Sequence, residues 1–493
     1  MKKNAKTVSA VLGTALLAGA GGVFAGINID DEDVPRSVSS NTDSQEESAE
    51  SEGSGDGEAS EKFEQMYNMI SEQYVEKVNE EELMEGAFEG MVKTLGDPHS
   101  SYMDKDTAGE FSQSLESSFE GIGAEVSMVD DTVTIVSPFR DSPAEEAGLQ
   151  PNDQILAVDG EDTEGESLNE TVLKIRGEKG SKVTLTVQRE GSSDPFDVDV
   201  ERDEIPVETV YSEVTEQNGR QIGTIEITSF SESTAEEFEN QLEKLEAEEI
   251  DGLIIDVRGN PGGFLDSVED IGDLIIPGDD KPVVQIEDRA GETVRSLSSL
   301  EERKDYPIVG LIDKGSVSAS EILAAALKEA GGYELVGNTT YGKGTVQQSM
   351  PFDDGSELKL SMFKWLTPDG NWINEEGVEP TIETDQPDYF YSAALSSEEE
   401  LQLDDIGEQV EIAQNILKGL GHDPGRTDGY FDEQTEAAVE SFQEEAEDIS
   451  VSGTIDEETA GAMNQAMFEL IQDPDNDRQM EKALEVVNEQ IQE

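Results

Sequence analysis

The sequence predicts a multidomain chain of α/β and α+β class, with a helical N-terminal segment, a β-rich domain, an α/β core and a C-terminal three-helix domain. The chain has 493 residues, which is more than one compact core holds, since domains of about 100–200 residues are usual. Helical and strand periodicities follow one another along the chain, and acidic stretches with few large apolar side chains separate them. These observations indicate several packed units.

The charge balance is strongly acidic. Asp and Glu number 115 against 32 Lys and Arg, so the formal net charge is −83. Self-repulsion of this size destabilises a compact state in dilute buffer, whereas about 1 M salt shortens the screening length to about 3 Å. We therefore interpret the chain as a halophile's protein. A disordered acidic protein is the alternative, but long segments carry clear hydrophobic periodicity.

Composition also restricts the chemistry. The chain has no cysteine and only two histidines, His99 and His422. This excludes disulfides, thiolate zinc sites and a cysteine nucleophile, and it argues against a histidine metal site. We expect no metal and no organic cofactor. Without a basic patch to neutralise phosphates, nucleic acid is not an expected partner.

Residues 1–29 are predicted to be a signal peptide or a membrane anchor, because three lysines precede an uncharged run from Thr7 to Ile29. The small residues around Ala25 would suit cleavage, and the run is also long enough to cross a bilayer of about 30 Å. Either alternative places the body outside the cytoplasm, membrane-anchored or secreted. Residues 30–60 are predicted to be an acidic disordered linker.

Residues 61–105 form the predicted helical segment. Apolar residues recur there at helical spacing and end before Gly96-Asp97-Pro98. An exposed apolar stripe of this kind often pairs with a second copy, so we expect a homodimer.

Residues 106–204 form the predicted β-rich domain. Its ordered parts are a Gly-Ile-Gly-Ala loop at residues 121–124, SPAEEAGL from Ser142, and DQILAVDG from Asp153. This order resembles a PDZ domain, although Asn152 stands where that family has glycine. The resemblance implies that Gly121, Ile122, Gly123 and Ala124 present backbone N–H groups to a peptide's terminal carboxylate, while the peptide adds as a strand.

Residues 205–384 are predicted to be the α/β core, because buried strands at 222–227, 253–257 and 308–312 alternate with amphipathic helices. An acidic linker is expected at 385–407.

Residues 408–472 contain DGYF at 428–431 followed by TEAAVESFQ. They resemble the three-helix peptidoglycan-binding domain, which implies cell-wall association, although any three-helix bundle would bury the same apolar residues. Residues 473–493 are predicted to be an acidic helical tail. Asp473, Asp475 and Asp477 imitate a calcium loop, but Arg478 stands where glycine is needed.

Ser318 opens an Ala-rich helix and is the candidate nucleophile. Ser318 and Glu321 have the S-x-x-E spacing of a capping box, which alone would explain them. A helix N-terminus also directs N–H groups at developing negative charge, so Ala319 could supply half of an oxyanion hole. Gly262 and Gly263 are candidates for the other half, because a substrate can approach their backbone closely.

Lys343 is the candidate general base. It lies between two glycines and before an apolar strand, so burial should depress its pKa and leave a neutral amine. The stretch from Gly337 also has the G-x-x-x-x-G-K spacing of a phosphate-binding loop. However, Gly344 replaces the Ser or Thr that would hold magnesium, and a strand follows instead of a helix.

Three motifs follow the PDZ-like domain in the sequence: DVRGNPGG at 256–263, GSVSASE at 315–321 and YGKGTVQ at 341–347. Over residues 61–382 they resemble the carboxyl-terminal processing, or tail-specific, peptidases. Ser316 and Ser320 are lesser candidates for the nucleophile, because the motif aligns it with the first serine of Ser-Ala-Ser-Glu.

The resemblance implies that Ser318 is the nucleophile, Lys343 the general base and Gln347 the residue that orients the lysine. It also makes Arg176 a possible regulatory residue that couples the PDZ domain to the active site. The expected protein is an exported, cell-wall-associated serine endopeptidase. Its expected partners are protein or peptide substrates with free C-termini, peptidoglycan and a membrane. The alternative is a non-catalytic envelope scaffold in which Ser318 is only a helix cap.

The acidic surface predicts tolerance of salt. We expect the purified protein to unfold at a higher temperature, and to remain active, when salt is raised from about 0.1 M to above about 1 M, because screening removes self-repulsion. Thermal unfolding and peptide cleavage across this range measure both. Activity lost above molar salt would contradict the interpretation.

Overall fold

The computed structural model describes residues 56–115, 117–129, 132–140, 142–163, 165–189, 192, 195–278, 281–396, 400–446 and 449–492. The predicted signal or anchor and most of the 30–60 linker lie outside the described residues. Within these ranges, no helix is both long enough and apolar enough to cross a membrane.

The N-terminal segment is helical, with α1 at Asp56–Gln73 and α2 at Glu80–Lys93. Asn79 caps α2 by accepting a hydrogen bond from the Glu81 N–H. Strand β1 (Ser101–Met103) and helix α3 (Lys105–Leu115) follow. The apolar stripe predicted for this segment is largely exposed in the single chain, at Phe63, Met66, Met69, Tyr74 and Met91.

The β-rich domain comes next. Its elements are β2 (Ser118–Gly121), β3 (Ala124–Val129), β4 (Thr132–Pro138), α4 (Pro143–Glu146), β5 (Gln154–Val158), β6 (Glu161–Asp162), α5 (Leu168–Ile175), β7 (Lys182–Gln188), β8 (Phe196–Glu201) and β9 (Asp203–Pro206). An antiparallel sheet has the order β3-β4-β5-β7-β8, so β3 is an edge strand. Asn152 has φ of 68°, which explains why a position usually held by glycine accepts asparagine. Strands β2 and β9 pair into a ribbon leading to the core.

The core contains two sheets. Its elements are β10 (Val210–Gln217), β11 (Arg220–Ile227), α6 (Thr234–Ala247), β12 (Gly252–Asp256), α7 (Leu265–Ile275), β13 (Val284–Glu287), β14 (Thr293–Ser296), β15 (Ile308–Ile312), α8 (Ala319–Ala325), β16 (Glu334–Gly337), β17 (Thr345–Pro351), β18 (Glu357–Leu366) and β19 (Ile382–Glu383). The main sheet has the order β10-β11-β12-β15-β16-β19, parallel from β11 onward. The second sheet, built around β18, is antiparallel and includes β1 and β17.

The topology of the main sheet determines where the sequence motifs meet. Strands β12 and β15 are parallel neighbours. Residues 258–263, the glycine loop, follow the carboxyl end of β12, and residues 315–321, the serine segment, follow the carboxyl end of β15. In open α/β sheets, ligands bind in the crevice at this edge. The two motifs therefore lie side by side although they are far apart in the chain.

The C-terminal domain contains α9 (Glu408–Gly419), α10 (Glu433–Glu445) and α11 (Glu457–Gln472). Its core also includes Leu395 and Leu401, from the stretch predicted as a linker. The last helix, α12 (Arg478–Gln490), does not extend away as a tail. It packs on the main sheet of the core.

Helix α12 covers one face of that sheet, while α6, α7 and α8 cover the other. Strand alternation separates the two faces: Ile254 points to α12, and its neighbours Leu253 and Ile255 point the other way. On the α12 side the buried contacts are made by Ile222, Ile254, Val309, Leu311, Val336, Ala483, Val486 and Val487. The C-terminal domain is thus inserted between the last strand of the core and its final helix. The predicted fold class, a multidomain α/β and α+β chain, is confirmed.

Packing of α12 on β12 can be tested at Gly252, where an added Cβ would overlap Val487 Cγ1. We expect Gly252→Ala to lower the free energy of unfolding by about 1–3 kcal/mol through overpacking, and Val487→Ala to relieve part of this loss in the double variant. Denaturant unfolding measures both. Gly90→Ala on α2, where a methyl meets no atom within 4 Å, is the control, and strictly additive effects would contradict the contact.

Candidate active site

Ser318 lies at the start of α8 in a strained backbone conformation. Its φ is 58° and its ψ is −110°, and only 2 % of the residue is exposed. Such a conformation costs a non-glycine residue about 1–3 kcal/mol and persists only where the surroundings enforce it. The strain distinguishes Ser318 from an ordinary helix cap.

The neighbouring serines are held in structural hydrogen bonds. Ser316 Oγ donates to the Val257 carbonyl at 2.8 Å, and Ser320 Oγ donates to the Asn260 carbonyl at 2.9 Å. Both side chains are fully buried. Ser316 and Ser320, the lesser candidates for the nucleophile, therefore connect the serine segment by hydrogen bonds to Val257 and to the glycine loop that follows it.

Glu321 joins the serine segment to residues 340–347, the lysine segment. Its buried carboxylate accepts from the Ser318 N–H (2.8 Å), the Thr340 hydroxyl (2.6 Å), the Gly342 N–H (2.6 Å) and the Lys343 N–H (2.8 Å). Burial raises the pKa of Glu321 above its ordinary value, although these hydrogen bonds oppose the shift. The sequence pattern indicated only the helix cap, and the three contacts to residues 340–343 could not be read from it.

Lys343 is buried, with 1 % of its surface exposed. Burial, followed by the positive charge of Lys359, lowers the pKa of Lys343 to about 7, while Glu321 and Asp97 act in the opposite direction. The direction of this shift agrees with the prediction that burial favours the neutral amine.

The backbone around Lys343 is fixed by both tryptophans of the chain. Trp365 Nε1 donates to the Lys343 carbonyl and Trp372 Nε1 to the Gly344 carbonyl, each at 2.7 Å. Glu375 N–H donates to the Gly342 carbonyl at 2.8 Å. These bonds restrict the lysine segment on several sides, and no local sequence pattern pointed to them.

The glycine loop is docked against the serine segment through Asn260. The Asn260 carbonyl accepts from the Val317 N–H at 3.0 Å, and its side-chain oxygen accepts from the Gly262 N–H at 2.8 Å. Gly263 has φ of 150°, and an added Cβ there would overlap the Phe230 carbonyl. Since the Gly262 N–H already donates a hydrogen bond to the Asn260 side chain, Gly263 is the better of the two predicted oxyanion donors.

Gln347 lies buried on β17. Its side-chain nitrogen donates to Thr345 Oγ1 and to Ser361 Oγ, each at 3.0 Å. Ser361 N–H in turn donates to Ser100 Oγ at 3.0 Å. A hydrogen-bonded series therefore connects Gln347 to the N-terminal segment, and a role in orienting the lysine remains a prediction.

His99 lies in the same N-terminal segment and was not expected near the site. Burial, followed by the positive charge of Lys343, lowers the pKa of His99. His422 lies in the C-terminal domain, where its Nδ1 is 3.0 Å from Ser441 Oγ. The two histidines thus belong to different domains, and the charge of Lys343 contributes to the lowered pKa of His99.

The predicted carboxylate loop of the β-rich domain connects β2 to the edge strand β3. Its Ile122 and Gly123 carbonyls accept from the Ala144 and Phe139 N–H groups, at 2.8 and 2.9 Å, and Gly123 has φ of 73°. Arg176 lies directly after α5, with its guanidinium 5.0 Å from the centre of the Phe119 ring on β2. The predicted regulatory residue is therefore adjacent to the strand that enters the loop.

Fold and site together agree with known sequence families. Residues 221–384 match the model of peptidase family S41, residues 134–189 a PDZ domain, and residues 406–463 a putative peptidoglycan binding domain. Residues 16–107 match the N-terminal domain of the activating protease CtpB. The class defined here is a serine peptidase with a PDZ domain.

Similarity to whole proteins is more specific. The chain is 49 % identical over 481 residues to the carboxy-terminal processing protease CtpB of Bacillus subtilis, covering 98 % of each chain. It is 40 % identical to CtpA of the same organism, covering 87 % of this chain and 90 % of CtpA. A probable CtpA-like serine protease of Staphylococcus saprophyticus is 35 % identical over 83 % of this chain and 82 % of its own. The chain belongs to the carboxy-terminal processing proteases of family S41, and the predicted family is confirmed.

The lowered pKa of Lys343 can be measured directly. In protein carrying ¹³Cε-labelled lysine, we expect the NMR signal of Lys343 to titrate near pH 7, because the folded interior disfavours its charge. Exposed lysines should titrate near about 10.4. The signal is assigned by its loss in Lys343→Met, and a Lys343 titration above about pH 9 would contradict the burial argument.

Proposed function

We propose that the chain is an exported serine endopeptidase that cleaves through Ser318 and Lys343. Neutral Lys343 Nζ takes the proton of Ser318 Oγ as that oxygen bonds to the scissile carbonyl carbon. The tetrahedral intermediate then breaks the C–N bond, and the leaving amine receives the proton from Nζ. Water repeats the sequence at the acyl-enzyme, releasing the acid and regenerating Ser318.

The negative oxygen of each intermediate requires donors in place beforehand. We assign the Ala319 N–H, at the start of α8, and the Gly263 N–H of the glycine loop to this role. Donors fixed before reaction need no reorganisation when charge develops, which is why an oxyanion site contributes strongly to the rate. The docking of the glycine loop on the serine segment through Asn260 supports this pairing.

One observation carries the proposal: Glu321 accepts hydrogen bonds from the backbone N–H groups of both Ser318 and Lys343, and the Lys343 side chain is buried. A scaffold protein would have no need for a buried lysine whose backbone is held by the same carboxylate as a strained serine. Burying an amine that has no chemical task would only cost stability. The non-catalytic scaffold is therefore the weaker alternative.

The PDZ domain is proposed to select substrates by their C-terminal tails. The edge strand β3 can accept an extended peptide as an added strand, and the loop of residues 121–124 lies at its start, where a terminal carboxylate would bind. Arg176 is proposed to transmit occupancy of this groove to the core through β2 and β9.

The envelope is the proposed location. The peptidoglycan-binding domain supports contact with the cell wall, and residues 1–29 are proposed to direct export as a cleaved signal or a retained anchor. A homodimer through the exposed stripe on α1 and α2 remains part of the proposal.

Replacement of the nucleophile tests the mechanism. We expect Ser318→Ala to lower kcat on casein or a tailed peptide by about 10⁴-fold or more, because no other serine of the segment has a free hydroxyl to replace it. In the unmodified protein, kcat/KM should rise with pH through about 7 as Lys343 loses its proton.

The matched control is Ser299→Ala, which removes an exposed hydroxyl bonded to Asp273 and should leave cleavage unchanged. Cleavage by purified Ser318→Ala at the rate of the unmodified protein would overturn the Ser/Lys mechanism and leave the scaffold alternative.

A further inference from the structure

An ion pair joins Asp477, the residue that caps the N-terminus of α12, to Arg258 in the glycine loop of the active site. Arg258, the third residue of the DVRGNPGG motif, directs Nη1 to Asp477 Oδ1 at 3.0 Å and Nη2 to Asp477 Oδ2 at 2.9 Å. Its Nε and Nη2 bind Asp256 at the end of β12, at 2.9 and 2.6 Å. The guanidinium is thereby clamped between a core strand and a residue 219 positions further along the chain.

Asp477 has two further structural tasks. Its Oδ1 accepts from the Met480 N–H at 2.9 Å, which caps α12, and from Gln386 Nε2 at 2.6 Å. The Asp477 and Arg258 side chains are 19 % and 17 % exposed. Although burial opposes its charge, Arg258 keeps the pKa of Asp477 below its usual range. A pair so withdrawn from water is costly to break, because Arg258 then keeps only Asp256 of its two carboxylate partners.

A short connected path leads from this pair to the nucleophile. Arg258 is followed directly by Gly259 and Asn260, and the Asn260 carbonyl accepts from the Val317 N–H and the Ser320 hydroxyl on either side of Ser318. Gly259 is in the left-handed region, with φ of 64°, and an added Cβ on Gly315 would approach its Cα to 2.7 Å. With so little room, a shift of Arg258 moves the loop against the serine segment.

We propose that Asp477 is a positioning residue for the peptidase reaction, acting through Arg258 to fix the glycine loop that presents the oxyanion donor. Asp477 lies just past α11, which ends the wall-binding domain at Gln472. The segment that leaves this domain therefore supports catalysis, and the domain is fastened to the core at the active-site edge. This inference rests on the proposed oxyanion role of the loop.

The experiment compares full-length variants with a peptide that carries a C-terminal tail. Asn caps helices as well as Asp does, so Asp477→Asn removes one of the two charges that hold Arg258 while keeping the cap of α12. We expect kcat to fall roughly tenfold or more, with KM unchanged, because the loss affects a donor used mainly in the transition state. The rise of kcat/KM near pH 7 should keep its position, since Lys343 is not touched.

Two controls separate positioning from stability. Asp475→Asn removes an exposed acid close by and should leave kcat unchanged. Val487→Ala loosens α12 on the sheet without touching Arg258, so it should lower Tm but leave the kcat of the folded protein unchanged. If Asp477→Asn fails to fold, Asp477→Ser, another capping residue without charge, provides the same measurement.

Full kcat in Asp477→Asn or Asp477→Ser would overturn the inference, as would an equal loss of kcat in Val487→Ala. If Ser318→Ala is inactive while Asp477→Asn is fully active, only this inference fails. If Ser318→Ala remains active, the proposed function itself fails.

Discussion

The buried carboxylate of Glu321 is the constraint on which the site depends. A serine at a helix start and a lysine after the next strand have no covalent reason to lie at a fixed distance. Glu321 fixes their separation through hydrogen bonds, because its Oε2 accepts from the backbone N–H groups of both Ser318 and Lys343. It also places negative charge near an amine whose pKa burial alone would lower further. Position and protonation of the lysine are therefore set partly by the same group.

The second constraint is the order in which the core is completed. One face of the main sheet is covered by the last helix of the chain, after an entire inserted domain. Until α12 is made, Ile254, Val309 and Leu311 have no cover on that face. Contacts of such long sequence separation form slowly, since a long loop must close first. The C-terminal domain is consequently attached to the core at both of its ends.

Much of this organisation could be predicted from the sequence. Local periodicity and short motifs indicated the fold class and the family, and Gly262 and Gly263 were predicted to share a site with Ser318. Most individual contacts between residues that are far apart in the sequence were not predicted. Nothing in the sequence around Trp365 or Trp372 shows that both indoles bind the lysine segment. The packing of α12 on the main sheet was not predicted, because its buried apolar residues form only a narrow stripe in a stretch rich in Glu. These residues are Ala483, Val486 and Val487. His99 lies just before β1, which pairs with β18, and no local sequence pattern indicated this pairing.

The two tryptophans give the molecule an optical property. Since the chain contains no others, emission excited where tyrosine does not absorb arises only from indoles bonded to the Lys343 and Gly344 carbonyls. Trp365 is fully buried, whereas Trp372 is 42 % exposed, so an aqueous quencher reaches one and spares the other. The unlabelled protein therefore carries its own fluorescent reporter of the segment that holds its lysine.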